Sequence, residues 1–280
     1  GDGAAAASAL GSAQFDAVVD FIAFTPADIE RRIELLGSRT RQYVFISSAS
    51  VYQKPPAHPV ITESTPLANP YWEYSRNKIA CEERLLRAYR EQSFPITIVR
   101  PSHTYDTVIP VAVGNWNYTI ADRMRRGKPI VVHGDGTSLW TVTHSNDFAV
   151  GLLGLLGNPA ALGNAFHITS DELLTWNQLY QTVGLALGVD PLLVHIPSQL
   201  IARVDPPTGA GLLGDKAHSV IFDNTKIKRL VPEYCAKIRF SQGIRRTLEW
   251  FHADAERQRV DEHSNQVIDA ILALWNRLSG

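Results

Sequence analysis

The 280-residue chain is 45% hydrophobic and 20% charged, the balance of a globular protein with a sizeable buried core. Its formal net charge is −1, and no stripe of Lys or Arg is present, so nothing argues electrostatically for nucleic acid or an anionic membrane as a partner. The two cysteines, Cys81 and Cys235, build no disulfide framework, and no apolar run approaches a membrane span, so a cytoplasmic protein with reduced thiols is expected.

Near the start, the Ala-rich stretch Ala4 to Leu10 lacks the basic start and long apolar centre of a signal peptide. Phe15 to Phe24 is a dense β-branched and aromatic run that predicts a buried strand. Thr25-Pro26 supplies an N-cap and first helical position for a helix through Leu36, which Gly37 ends. Tyr43 to Ile46 predicts a second strand, closing on Ser47-Ser48, and a Pro-rich loop follows from Lys54 to Pro70. A helix is expected from about Trp72 to Arg90, with Cys81, Leu85 and Tyr89 on its apolar stripe. Ile96 to Val99 predicts a third strand, ending in Arg100-Pro101.

Strands alternating with amphipathic helices imply βαβ units and a parallel sheet, whose ligands sit at the carboxyl ends of the strands. Ala23-Phe24, Ser47-Ser48 and Arg100-Pro101 are therefore expected to open toward one crevice. Beyond about Asp106 the pattern loosens. Helices are expected at Gly114 to Arg126, Ser145 to Leu156, Trp176 to Leu187 and Ser241 to Ala253, with strands at Ile130 to Val132 and Ala165 to Ile168. Val267, Ile271, Leu274 and Leu278 fall on one helical face, a pattern that suits intramolecular packing and leaves a homodimer open.

Three segments carry chemistry: Tyr43 to Gln53 (YVFISSASVYQ), Tyr71 to Glu83 (YWEYSRNKIACEE) and Ile96 to Asp106 (ITIVRPSHTYD). Tyr74 and Lys78 are four residues apart, hence on one helix face. A nearby ammonium favours the phenolate, which fits Tyr74 to exchange a proton with a substrate hydroxyl. In order and spacing the segments resemble the extended short-chain dehydrogenase/reductases, the NAD-dependent epimerase/dehydratase family. The stretch Gly134 to Ala149 falls where that family has a substrate-lobe motif.

The resemblance implies a Rossmann-like, doubly wound parallel α/β sheet with a smaller C-terminal α/β substrate lobe. Residues 1–106 would form the remainder of the nucleotide-binding domain, and 107–280 mainly the substrate lobe, with some segments returning to the sheet. It implies NAD or NADP as cofactor and a catalytic set of Ser48, Tyr74 and Lys78. Carried over by position, Asp2 would contact adenine, and Ile22-Ala23 the phosphate-ribose region. Ser47, Tyr74, Lys78, Pro101 and Ser102 would surround the nicotinamide. The substrate, a sugar nucleotide or similar hydroxy/keto molecule, would meet Ser48, His103, Trp140 and His144. No metal site is expected, because the nine His residues form no ligand-spaced set beside carboxylates.

The sequence departs from the family at three points. It contains no glycine-rich phosphate-binding turn, so the first βαβ unit is read as absent and the chain as a piece of a longer protein. Ala49 and Ser50 stand where sugar 4,6-dehydratases hold an Asp-Glu pair, which argues against dehydration and for oxidation, reduction or epimerisation. His103 and Trp140 replace an Asn and a phosphate-binding Arg of many nucleotide-sugar members. A non-catalytic binding or regulatory protein on the same fold, including an RNA-binding one, is the alternative reading.

Overall fold

The computed structural model describes residues 3–279; Asp2, assigned above to adenine, lies outside the described residues. Four parallel strands form the main sheet in the spatial order Val18–Asp20, Tyr43–Ile46, Ile96–Pro101, Ala165–Ile168. Tyr43 pairs with Val18 on one side and Ile96 on the other, and Ile98 pairs with Ala165. Alternation along the strands fills both faces. Tyr43 and Phe45 pack with Ile29, Ile33, Cys81 and Leu85 from the helices Pro26–Leu36 and Glu73–Gln92. Val44 and Ile46 pack with Phe148, Leu155, Ile227 and Val231, where the helices Ser145–Leu155 and Thr225–Leu230 cover the sheet. The result is a Rossmann-like three-layer α/β fold.

The first strand is shorter than the run from Phe15 to Phe24 predicts. The Asp20 carboxylate accepts from the amides of Ile22 (2.8 Å) and Ala23 (2.9 Å), which turns the chain out of the sheet after three strand residues. Tyr43 Oη and Arg32 Nε also donate to it, so one buried carboxylate shapes the whole strand end. Phe21, Ile22 and Phe24 are consequently exposed rather than buried. The next helix starts as expected, with Thr25 and Asp28 forming a reciprocal capping box. In the Glu73–Gln92 helix, Cys81 and Leu85 are buried, but Tyr89 is not part of the stripe. Ala88 takes that place, and Tyr89 lies over Gly163, where an added Cβ would come within 2.5 Å of the ring.

The remaining chain builds the lobe from short paired strands, among them Ile130–His133 with Leu193–Ile196 and His103–Tyr105 with Val142–His144. Its core gathers Trp140, Trp176, Tyr180, Phe240 and Ile244. The helix expected from Gly114 begins only at Thr119, because Gly114 sits at φ +92° and Asn117 caps the Thr119 amide. In the last helix, Glu262–Ser279, Ile268, Ile271 and Leu272 face the lobe core, whereas Leu278 is exposed. Among the described residues no helix is long and apolar enough to cross a membrane.

One buried ion pair joins the third strand to the Tyr74 helix. The Arg100 guanidinium donates from Nε (3.0 Å) and Nη2 (2.6 Å) to the Glu82 carboxylate, which is fully buried. Breaking such a pair leaves an uncompensated buried charge. Glu82→Ala should therefore lower unfolding free energy by about 3–5 kcal/mol, whereas the double variant Glu82→Leu/Arg100→Met should recover most of that loss in denaturant unfolding.

Candidate active site

Lys78 is buried on the inner face of its helix, four residues after Tyr74. Its Nζ donates to the carbonyls of Ala23 and Ile46, each at 2.8 Å. It lies 4.6 Å from the ring centroids of both Phe24 and Phe45, and 5.9 Å from that of Tyr74. The ends of the first two strands thus converge on one ammonium. Burial drives the Lys78 value down to about 8, against smaller opposing pulls from Cys81, Asp20 and Glu82. The Arg100-Pro101 end takes no part in this meeting, since its guanidinium turns to Glu82.

The Tyr74 phenol stands above its ordinary value: burial raises it, the Ser48 hydroxyl opposes, and Asp215 adds to the rise. The depression expected from Lys78 is not found: the Tyr74 value is raised, with burial the largest cause. Ser48 caps a short 3₁₀ turn, Ala49–Val51, and its Oγ accepts from the Ser50 amide. A chain of hydroxyls continues from it: Ser48 Oγ to Ser50 Oγ at 2.9 Å, then Ser50 Oγ to Ser75 Oγ at 2.7 Å. Ser47 Oγ is buried without a partner.

The other sequence-predicted residues are placed as follows. Ile22 is exposed and lines a cavity of about 580 Å³ whose wall carries Arg31, Arg32 and Arg39, while Ala23 is fully buried. Ser102 gives its hydroxyl to the Thr141 carbonyl (2.9 Å), which joins the Pro101-Ser102 corner to the lobe. His103 is enclosed by Trp116, Trp140 and Trp176 at centroid distances of 4.4, 5.2 and 6.0 Å. Burial, and then the Lys216 charge, hold it well below the usual histidine range, so it is neutral at pH 7. Trp140 lies in the lobe core, 1% exposed, with its indole N–H unpartnered. His144 caps the following helix by accepting from the Asn146 amide, and its other nitrogen faces Asp106 at 3.8 Å. The structure therefore brings Ser48, Tyr74 and Lys78 together and sets His103 and Trp140 in one aromatic box, while His144 serves a helix start.

Two groups of residues went unread in the sequence. Asn69 donates from Nδ2 to the carbonyls of Ser50 (2.9 Å) and Gly214 (2.7 Å), and its Oδ1 accepts from the amides of Tyr71 and Trp72. It fastens the serine turn, the start of the Tyr74 helix and the lobe to one another. Its signal was an Asn two residues before Tyr71, a turn-forming side chain at a helix entry. Lys54, Asp215 and Lys216 are buried beside these elements, and nothing in the sequence relates Lys54 to the adjacent pair Asp215-Lys216. Among the described residues no group of three His, Cys, Asp or Glu side chains is placed to hold a metal.

The chain is 29% identical over 225 residues to a 2'-dehydrokanamycin reductase of Streptomyces kanamyceticus, covering 78% of this chain and 61% of that protein. It is 29% identical over 189 residues to the chloroplast stem-loop binding protein of 41 kDa b of Arabidopsis thaliana, covering 67% of this chain and 47% of that one. The chain thus spans less than two thirds of the length of both relatives. A crystal structure of dTDP-glucose 4,6-dehydratase from Bacillus anthracis in complex with NAD shares the fold, with a TM-score of 0.71 at 19% identity, covering 91% of this chain and 78% of that one. The model of the NAD dependent epimerase/dehydratase family matches residues 4–168, more than half of the sequence and all of the Ser48, Tyr74 and Lys78 constellation, and the chain belongs to that family.

Proposed function

We propose that this chain is the catalytic core of a nicotinamide-dependent epimerase or reductase, acting on a sugar nucleotide or a related hydroxy/keto substrate. The observation that carries the reading is the Lys78 ammonium bound to the Ala23 and Ile46 carbonyls beneath Tyr74 and Ser48. That arrangement holds a phenol, a hydroxyl and a cation at the carboxyl ends of parallel strands, where such sheets bind their ligands.

The residues present suit the nicotinamide end of the cofactor. An ammonium has three N–H donors, and Lys78 gives two to carbonyls, which leaves one for a ribose hydroxyl. Ser47 Oγ offers a buried, unpartnered hydroxyl at the neighbouring strand end. When bound, the nicotinamide supplies or takes the hydride. Tyr74 takes or returns the proton of the substrate oxygen, and Ser48 holds that same oxygen by a hydrogen bond. In this reading Pro101-Ser102, held to the lobe by the Ser102 hydroxyl on the Thr141 carbonyl, borders the nicotinamide from the third strand rather than through Lys78. The sequence has no glycine-rich turn for the pyrophosphate, and the fit concerns the reactive end alone.

The dehydratase chemistry of some family members does not suit this site. Ala49 has no acid-base group, and the Ser50 hydroxyl is engaged with Ser48 and Ser75. A purely binding role is the second reading, favoured by the name of the Arabidopsis relative. The net charge of −1 gives it no electrostatic support.

Tyr74→Phe should cut turnover by about 10²–10⁴-fold, followed at the reduced-nicotinamide absorbance band, with nucleotide affinity almost unchanged. Wild-type turnover in that variant removes Tyr74 from the mechanism; salt-sensitive RNA binding without any turnover replaces the enzyme by a binding module. Products should keep the oxygen count of their substrates, and a mass spectrum showing loss of water would contradict the exclusion of dehydration. Lys78 is charged below its value of about 8 and neutral above it. The KM for nicotinamide nucleotide should therefore rise as pH passes upward through 8, and a flat profile would show that Lys78 does not grip the cofactor.

A further inference from the structure

We propose that Lys54, Asp215 and Lys216 form an anion subsite for the substrate, in which the two ammonium groups take a carboxylate or phosphate carried close to the carbon that reacts at Tyr74. Its use in turnover rests on the reading of Tyr74 given above; its binding chemistry does not.

The three side chains are buried: Lys54 is 3%, Asp215 5% and Lys216 8% exposed. Asp215 and Lys216 belong to Leu212–Lys216, a stretch of π-helix. Such turns are rare and occur often at functional sites, since the widened backbone re-aims consecutive side chains. The turn is pressed against the Tyr74 helix. A Cβ added to Gly214 would stand 2.8 Å from Trp72 Cβ, and Asn69 binds the Gly214 carbonyl. The placement of Asp215 and Lys216 is therefore built into the contact between lobe and active-site helix.

The charges in this cluster are not matched. Lys54 Nζ stands 3.6 Å from Asp215 Oδ1, beyond hydrogen-bond distance, and that oxygen has no donor. Lys216 Nζ faces the Trp72 ring at 5.2 Å, and among the described residues no carboxylate pairs with it. Lys54 Nζ lies 5.9 Å from the Trp140 ring centroid. Two ammonium groups against one carboxylate leave one positive charge in excess, inside a region where an unpaired charge is costly. Burial accordingly lowers both lysines and raises Asp215. An anion bound beside them would supply the negative charge that the single Asp215 carboxylate does not.

Position ties the subsite to the reaction. Lys216 sits over Trp72, whose ring lies 4.9 Å from that of Tyr74, so the ammonium is one aromatic ring away from the phenol. Asp215 is near enough to raise the Tyr74 value. On the other side, Trp140 continues into the box around neutral His103. The chemistry recognised is a ring with an acidic substituent near the reacting carbinol; a polycationic substrate meets an excess of like charge here.

Quenching of the intrinsic tryptophan fluorescence of the full chain reads the subsite directly, because Trp72 and Trp140 face the two lysines. The probes are D-glucuronate, glucose 1-phosphate, inorganic phosphate and, as the neutral control, D-glucose. At least one anion should bind about ten-fold or more tighter than D-glucose, and Lys54→Met and Lys216→Met should each remove that preference. Glucuronate over glucose 1-phosphate assigns a carboxylate, the reverse assigns a phosphate, and inorganic phosphate binding alone marks an adventitious ion and sinks the proposal. Equal binding of anions and D-glucose, or an undiminished preference in Lys216→Met, also overturns it. If the methionine variants do not fold, Lys216→Arg should retain the preference, and added KCl should erase it in the wild type; salt-independent binding overturns the proposal without any variant. Turnover that depends on Tyr74 without an anion preference defeats the subsite alone, and an anion preference without turnover defeats the enzyme reading alone.

Discussion

The Lys78 ammonium fixes the centre of this molecule. Two strands already paired in the sheet are tied again at or beyond their carboxyl ends by one side chain from a helix, at the edge where sheets of this kind bind their ligands. The arrangement is costly, since burial disfavours the charge, and two backbone carbonyls with flanking aromatic faces offset the cost. Asp20 completes the device by bending the first strand so that the Ala23 carbonyl points at Lys78. A change at Asp20 would therefore reach Lys78 through the backbone, without touching Ser48 or Tyr74.

Around this centre the polar interior follows a division of labour. Arg100 and Glu82 pair with each other and serve cohesion between sheet and helix. Asn69 spends every hydrogen-bonding group on backbone and serves alignment of the lobe with the serine turn. Lys54, Asp215 and Lys216 satisfy each other incompletely, which suits the anion subsite proposed above better than a closed structural ion pair. The three groups are buried to similar extents, so burial alone does not tell them apart; the completeness of their partnering does.

Much of the fold was legible because local and tertiary signals agreed. The helix Trp176–Leu187 and the strand Ala165–Ile168 fall where periodicity put them, and the cap read at Thr25 marks a real helix start. Phe15 to Phe24 misled because the apolar run reports burial propensity, whereas the Asp20 side chain decides where the strand stops. Tyr89 misled because helical spacing does not reveal that Gly163 opens a shelf for its ring. At the site, Tyr74 and Lys78 were readable from the resemblance of three segments to a known family, the four-residue spacing adding only that the two share a helix face. Lys54, Asp215 and Lys216 were not, because a tertiary contact through Asn69 and Gly214, absent from any local pattern, brings them together.

The row of hydroxyls behind Ser48 sets a direction. Ser75 donates to Ser50, so the Ser50 hydrogen is free to pass on to Ser48, whose oxygen already accepts from the Ser50 amide. With its oxygen occupied twice, Ser48 keeps its own hydrogen for the Tyr74 oxygen or a substrate oxygen beside it. It is thereby polarised as a donor, and the site holds a substrate oxygen most firmly when that oxygen offers lone pairs and carries negative charge. In the reaction proposed above this serine row favours the keto and alkoxide side, and Ser75, wholly enclosed within the helix packing, would set that preference from within the core.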